Sequence, residues 1–261
     1  MAARKLVELA GSAVGTTLTA DSVIILPTGS VEHHGPHLPL VTDALLAEAV
    51  ATAAVEQGVA DGLDLWLLPT LTYTKSDEHH WAPGTMWLNY DTLMSTLVDL
   101  GRSVAATPAK KLVFMNGHGG NSALLQVANR ELRRRFGLVT FAMPAGLPVA
   151  GTRGVGVLPE EMGQSIHAGH AETSLVMHVR PDLVDLGLAE RHVPEHLAGL
   201  EYIGINGKPV SFGWLSNDFG PTGVIGDPTQ ASAEAGRVIF EASVAGTVAA
   251  LHEIAAFRHL P

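Results

Sequence analysis

The chain of 261 residues contains no cysteine, which excludes disulfide bonds, thiolate metal sites and a cysteine nucleophile. Charged residues make up only 16% of the chain, against roughly a quarter in an average globular protein. Positive charge is the scarcer sign, with 16 Lys and Arg against 26 Asp and Glu, so we expect no nucleic-acid partner. Any bound metal must therefore be held by nitrogen and oxygen ligands.

Long apolar runs are also missing from the sequence. No run reaches the length that a membrane-spanning helix needs, so we expect no membrane partner. Glu8 interrupts the apolar stretch near the N terminus, which makes a poor secretion signal and favours a cytoplasmic location. Hydrophobic residues nevertheless form 46% of the chain, and no repeat or linker divides it. We therefore expect one domain over residues 1–261.

Short apolar stretches that alternate with helical stretches predict an α/β fold. The predicted strands are 22–27, 63–69, 111–117 and 138–144, and the predicted helices are 43–58, 89–107, 121–137, 170–179 and 226–257. This spacing favours a mostly parallel central sheet flanked by helices on both faces. The glycine-rich residues 145–159 are predicted to form a long loop, as a lid or an interface arm.

Three polar segments follow the first three predicted strands. They are TGSVEHHG (28–35), TYTKSDEHHWAPG (72–84) and NGHGGN (116–121). Each segment alone is also typical of a surface loop or a tight turn. Because the carboxyl ends of parallel strands meet at one edge of a sheet, we expect the three segments to converge there on a ligand.

The segments are rich in imidazoles and carboxylates, which favours a metal site. Glu32 and His34 are two residues apart, so an extended backbone points both to one side. Asp43, His118 and Glu172 add further donors suited to hard or borderline divalent metals. Such a set exceeds the needs of one catalytic zinc, so we predict two divalent ions that share a carboxylate.

The motifs PTGSVEHHGPHLPLVTD, NGHGGNS and HAGHAETS resemble the signature segments of the creatininase family, metal-dependent amidohydrolases, and PGTMWL (83–88) resembles the family's glycine–threonine turn. The resemblance implies a creatininase-like α/β fold, two metal ions (zinc or manganese, with iron as an alternative) and a homo-oligomer, often a hexamer. Carried over to this sequence, the metal ligands are Glu32, His34, Asp43, His118 and Glu172, with Asp43 as the bridging carboxylate.

One position departs from the family pattern. Creatinine-hydrolysing members carry a glutamate two residues after the histidine that corresponds to His118, and this chain has Gly120 there. We therefore assign the fifth ligand to Glu172. Other polar residues are predicted to support the ligands, to line the pocket or to lie on an exposed loop: His33, His37, Glu78, His79 and His80.

The resemblance also implies a reaction. We expect hydrolysis of the C–N bond of a cyclic amide or a related small amide, by a hydroxide held between the metals. His167 and Glu172 are the catalytic candidates. His167 matches a histidine that shuttles protons in the family, and orienting a ligand is its alternative role.

The substrate is a small molecule that the motifs do not identify. No tryptophan lies between residues 88 and 213, where creatinine hydrolases of the family carry aromatic residues, so creatinine is one candidate among several. The alternatives are hydrolysis of a non-amide ring, such as a cyclic keto-sugar or a lactone, and a peptidase-like enzyme that matures a peptide-derived cofactor. A metal-binding structural or sensor protein is the non-enzymatic alternative.

Overall fold

The structure is a computed structural model that describes residues 3–146, 156–205 and 207–258. In this part of the chain a four-stranded, wholly parallel sheet forms the centre of the fold. Its strands are β1 (Val23–Thr28), β2 (Leu65–Leu67), β3 (Lys111–Asn116) and β4 (Val139–Pro144), in the order β2-β1-β3-β4. The predicted parallel sheet is confirmed, and β2 is shorter than its predicted span.

The α-helices of the described residues are α1 (Gly11–Thr17), α2 (Thr42–Ala60), α3 (Tyr90–Ala105), α4 (Ser122–Phe136), α5 (His170–Val179), α6 (Glu195–Ala198) and α7 (Ala233–Ala256). Helix α7 begins later than predicted because Ser232 caps it, with its hydroxyl accepting a hydrogen bond from the Ala235 N–H. Most of the loop predicted over 145–159 lies outside the described residues.

Helices cover both faces of the sheet, as predicted. Val23 and Ile25 of β1 pack in one core with side chains of α2 and α7. Ile24 and Leu26, on the opposite side of the same strand, pack with side chains of α3 and α4. Every residue of β1 is buried, which explains its continuous apolar run rather than an alternating pattern.

Helix α7 is long and apolar enough to cross a membrane by length and composition alone. In this fold it packs against α2 and α5, and Val248, Leu251 and Ile254 belong to the core beneath it. One face of helix α7 therefore contributes to the core.

The strand order determines where polar loops can meet. From β1 the chain crosses through α2 to β2 on one side, and from β3 it crosses through α4 to β4 on the other side. The direction of winding thus reverses between β1 and β3. The loops that leave β1, β2 and β3 share the edge at this reversal, where parallel α/β sheets bind ligands.

Candidate metal centre

The five predicted ligands come together at this edge of the sheet. Glu32 and His34 follow β1, Asp43 lies in the first turn of α2, His118 follows β3, and Glu172 lies in the first turn of α5. All except Glu172 are almost fully buried. The structure thus places side chains from four separate segments in one cluster, and their role as ligands stays a prediction.

Glu32, Asp43 and His118 form the first donor group. Nδ1 of His118 lies 3.3 Å from Oε2 of Glu32 and 3.0 Å from Oδ2 of Asp43. One ligand atom from each residue lies within 4.8 Å of the other two, a spacing that suits one ion. The group offers two carboxylates and one imidazole.

His34, Asp43 and Glu172 form the second donor group, and a third set with the same spacing, Glu32, His34 and His167, overlaps both. Nε2 of His34 lies 3.1 Å from Oδ1 of Asp43 and 3.7 Å from Oε1 of Glu172. Asp43 therefore turns one carboxylate oxygen to each group, which is the arrangement that a bridging carboxylate requires.

The charges of the cluster suit cations. Burial opposes ionisation of Glu32, but the adjacent His118 and His34 together lower the pKa of Glu32 to about 2. Burial also opposes ionisation of Asp43 and Glu172, and His34 holds the pKa of each at about 2. Oε1 of Glu32 is buried and accepts no hydrogen bond from any described residue. Such an atom is costly to bury unless a cation lies against it.

The same interactions raise the pKa of the two imidazoles, His34 and His118. Burial opposes a charge on His34, but Asp43 and Glu172 raise the pKa of His34 well above its usual value. Burial opposes a charge on His118 as well, and Glu32 and Asp43 raise the pKa of His118. The carboxylates thus favour a positive charge at both rings. Divalent ions in place of these protons would satisfy the carboxylates and leave imidazole nitrogens free to ligate, so the residues fit two metals.

Hydrogen bonds orient the ligands towards the centre. Nδ1–H of His34 donates to the carbonyl oxygen of Glu32 at 3.1 Å, which leaves Nε2 facing Asp43. The Ser76 hydroxyl donates to Oε2 of Glu32 at 2.6 Å, and the Ala168 N–H donates to Oε2 of Glu172 at 2.6 Å. Partners of this kind hold metal ligands in place.

His167 faces the centre with one nitrogen. Nε2–H of His167 donates to the carbonyl oxygen of His33 at 2.8 Å, and Nδ1 lies 3.6 Å from Oε1 of Glu32. Burial lowers the pKa of His167, and nearby His34 lowers it further, so the ring is neutral at physiological pH. A neutral ring with its free nitrogen towards the site suits a proton acceptor, and the shuttle role of His167 stays a prediction.

The segment after β2, where the sequence left roles open, also enters the centre. His79 is buried, its Nε2 lies 3.5 Å from Oε1 of Glu32, and burial lowers the pKa of His79 to about 2. Its ring packs on His167 with 4.2 Å between centroids. Oε1 of Glu78 lies 3.3 Å from Nε2 of His118. His80 is exposed and takes no part.

His33 and His37, the two remaining candidate histidines, connect the loop after β1 to distant parts of the chain. Nε2 of His37 lies 3.0 Å from the hydroxyl of Thr173 in α5. Nε2–H of His33 donates to the carbonyl oxygen of Thr222 at 2.9 Å. Sequence reasoning missed Ser76, for which its place in the polar segment after the second strand was the available signal.

A cavity of about 550 Å³ opens onto the centre. Besides Glu32, Asp43 and Glu172 it is lined by Ser165 and Trp214. This volume lies within the roughly 300–1,000 Å³ that is usual for pockets that bury drug-sized ligands. The cavity therefore has room for a molecule larger than a small ring.

Comparisons with known proteins agree with this geometry. The chain matches the family described as Creatininase, creatinine amidohydrolase, over residues 8–251. It is 37% identical to the mycofactocin precursor peptide peptidase of Mycobacterium tuberculosis (strain ATCC 25618 / H37Rv) over 243 residues, 90% of this chain and 86% of the relative. It is 30% identical to the creatinine amidohydrolase of Pseudomonas putida over 253 residues, 89% of this chain and 90% of the relative. A solved structure described as Creatininase Mn is similar with a TM-score of 0.75 at 28% identity, over 96% of this chain and 98% of that chain.

Proposed function

This chain belongs to the creatininase family, and from that premise we propose that it hydrolyses an amide bond of a short peptide. The family relationship makes the chain a metal-dependent amidohydrolase. The observation that carries the proposal is the pair of donor groups sharing Asp43 beside a cavity of about 550 Å³. This arrangement combines a hydrolytic centre with room for an extended substrate.

The two divalent ions, zinc or manganese with iron as an alternative, would be held by the five predicted ligands. When bound, they supply an activated water at neutral pH and polarise the carbonyl of the scissile bond. Glu32, Asp43 and His118 would hold one ion, while His34 and Glu172 would hold the other together with Asp43.

The side chains around the donors contribute positioning and proton transfer. Ser76 holds the Glu32 carboxylate, and the N–H of Ala168 holds that of Glu172. Nδ1 of His167 would accept a proton on the side that faces the centre and return it to the leaving nitrogen. Neighbouring His34 and His79 stack on His167, which limits the rotation of its ring.

A peptide substrate is supported by three observations. The relative named as a precursor peptide peptidase is 37% identical to this chain, and the creatinine amidohydrolase is 30% identical. Position 120 is glycine, where creatinine-hydrolysing members carry glutamate. The cavity of about 550 Å³ also has room for a molecule larger than creatinine. The second candidate is a cyclic amide, because the Trp214 side chain lines the cavity and offers a surface for a flat ring.

The test is a substrate panel with metal-loaded protein and a metal-stripped control. Short peptides with free termini, creatinine, other lactams and lactones would be incubated and their products identified by mass spectrometry. We expect cleavage of a peptide amide and little opening of creatinine. Faster turnover of creatinine than of every peptide would overturn the peptide assignment in favour of the cyclic amide.

We also propose a cytoplasmic homo-oligomer, with the hexamer that the resemblance implies. Exposed apolar side chains support self-association, among them Tyr202, Ile203 and Phe212. Light scattering on the purified chain tests this proposal. A monomer at micromolar concentration would contradict it.

A further inference from the structure

Position 120 carries no side chain, and another residue occupies the space where one would begin. A Cβ atom added to Gly120 would lie 2.3 Å from Oε1 of Glu78 and 2.4 Å from Nε2 of His118. Both separations are too short for real side chains. A side chain at position 120 therefore requires both the Glu78 carboxylate and the His118 ring to leave the positions they adopt here.

Glu78 comes from a different loop. It lies in a short 3₁₀ turn, Asp77–His79, in the connection that follows β2. Its carbonyl oxygen accepts a hydrogen bond from the Ser216 hydroxyl at 3.2 Å, and its Oε2 lies 3.8 Å from Nζ of Lys75. The side chain is only 12% exposed. Glu78 is therefore held beside His118 rather than projecting into solvent.

The carboxylate faces the nitrogen of His118 that points away from the proposed metals. Nε2–H of His118 donates to the carbonyl oxygen of Lys75 at 2.6 Å and has Oε1 of Glu78 at 3.3 Å. Its other nitrogen, Nδ1, faces Glu32 and Asp43. The Lys75 carbonyl thus leaves Nδ1 as the nitrogen that is free to ligate. A carboxylate beside the outer nitrogen of a metal-binding imidazole makes the ring a stronger ligand.

We propose that Glu78 is a positioning residue of the first donor group, which acts through His118 and supplies from the β2 loop a carboxylate that position 120 lacks. The first donor group already offers three side chains, the number that catalytic zinc sites use. Glu78 is therefore not needed as a direct ligand. The proposal rests on the metal centre and is independent of whether the substrate is a peptide.

The test measures metal affinity rather than turnover. The chain is stripped with a chelator and titrated with Zn²⁺ against a competing chromophoric chelator, in a Glu172→Ala background that removes a ligand of the second group. We expect Glu78→Ala to weaken the remaining site by about 10–100-fold. Glu78→Gln, which keeps an acceptor oxygen without the charge, should have an intermediate effect.

The matched control is Asp77→Asn, which removes the adjacent carboxylate that also pairs with Lys75. This variant should keep the affinity of its background. Equal weakening by both variants would assign the effect to Lys75 and overturn the proposal. A Glu78→Ala protein with unchanged affinity and an unchanged melting temperature in the metal-free state would overturn it as well.

The substrate is tested separately from the role of Glu78. Absence of peptide cleavage with both metals bound would count against the proposed substrate and not against the role of Glu78.

Discussion

The two donor groups differ in how deeply they lie. In the first group the side chains of Glu32, Asp43 and His118 are 1%, 4% and 5% exposed. In the second group the His34 side chain is 0% exposed, but that of Glu172 is 24% exposed. Both groups border the cavity, but only the second has a ligand side chain, that of Glu172, with substantial exposure. We expect the first group to retain its ion and the second to exchange its ion more readily.

Asp43 belongs to both donor groups, so its replacement should have the largest effect on metal content and activity. Asp43→Asn removes an anionic bridge and leaves His34 and His118 buried beside fewer carboxylates. We expect loss of both metal equivalents by elemental analysis and a fall in kcat on the order of 10⁴-fold or more, as for residues that act as a unit. Retention of two equivalents would show that the groups do not depend on a shared carboxylate.

Variants that each remove one ligand from one donor group test whether the two groups differ in how tightly they hold a metal ion. Glu172→Ala should lower the metal content from two equivalents per chain towards one, because the buried first group stays intact. His118→Ala should lose the first ion and also weaken the second, since Asp43 then lacks a partner for one of its oxygens. Elemental analysis after dialysis measures both variants. Equal losses would contradict the difference in depth.

His167 lies against both groups without belonging to either proposed ligand set. Its Nδ1 faces Glu32, and its ring packs on His34 with 4.3 Å between centroids. His167→Ala should keep two metals and lower kcat by about 10²–10⁴-fold, the usual contribution of general acid–base catalysis. Loss of a metal in this variant would make His167 a ligand instead.

The pH dependence of metal binding should be steeper than that of an exposed site. In the metal-free protein the pKa of His34 and of His118 is raised, so protons compete with the ions. Affinity should fall as pH falls, by about tenfold per pH unit for each proton displaced. Zn²⁺ titrations between pH 6 and pH 9 measure this slope. A flat profile would show that neither ring is protonated in the metal-free state.

The same raised pKa values predict the stability of the metal-free chain. A group whose pKa is raised on folding stabilises the fold fully below its unfolded pKa, about 6.5 for histidine, and loses this contribution as pH rises through the folded pKa. Thermal melting should therefore show the metal-free chain losing this contribution above about pH 6.5. The stabilisation by added metal should grow over the same range.

The sequence predicted the structure best where one residue pattern corresponds to a single strand or helix. The apolar run of β1 followed by Glu32 and His34 predicted both a buried strand and polar side chains at its end. Asp43 was predicted near a helix start, and it lies in the first turn of α2. These predictions depend on local periodicity and on parallel strand topology, both of which can be read along the chain.

The β2 loop was less predictable. Its segment SDEHHW left Glu78 and His79 undecided between pocket and surface, because a single 3₁₀ turn in a long connection has no periodic pattern. The structure buries His79 and leaves the adjacent His80 exposed. That difference follows from packing against Glu32 and His167, which are distant in sequence.

The amino-acid sequence by itself predicted the type of chemistry, the parallel sheet and a set of candidate donor residues. The absence of cysteine excluded thiolate ligands, and the placement of polar segments after strands predicted one shared edge. Only the tertiary structure decided how the donors fall into overlapping groups, two of which share Asp43, and that Glu78 lies where a side chain at position 120 would begin. The reason is physical: ligand geometry depends on distances between loops that are close in space and far apart in sequence.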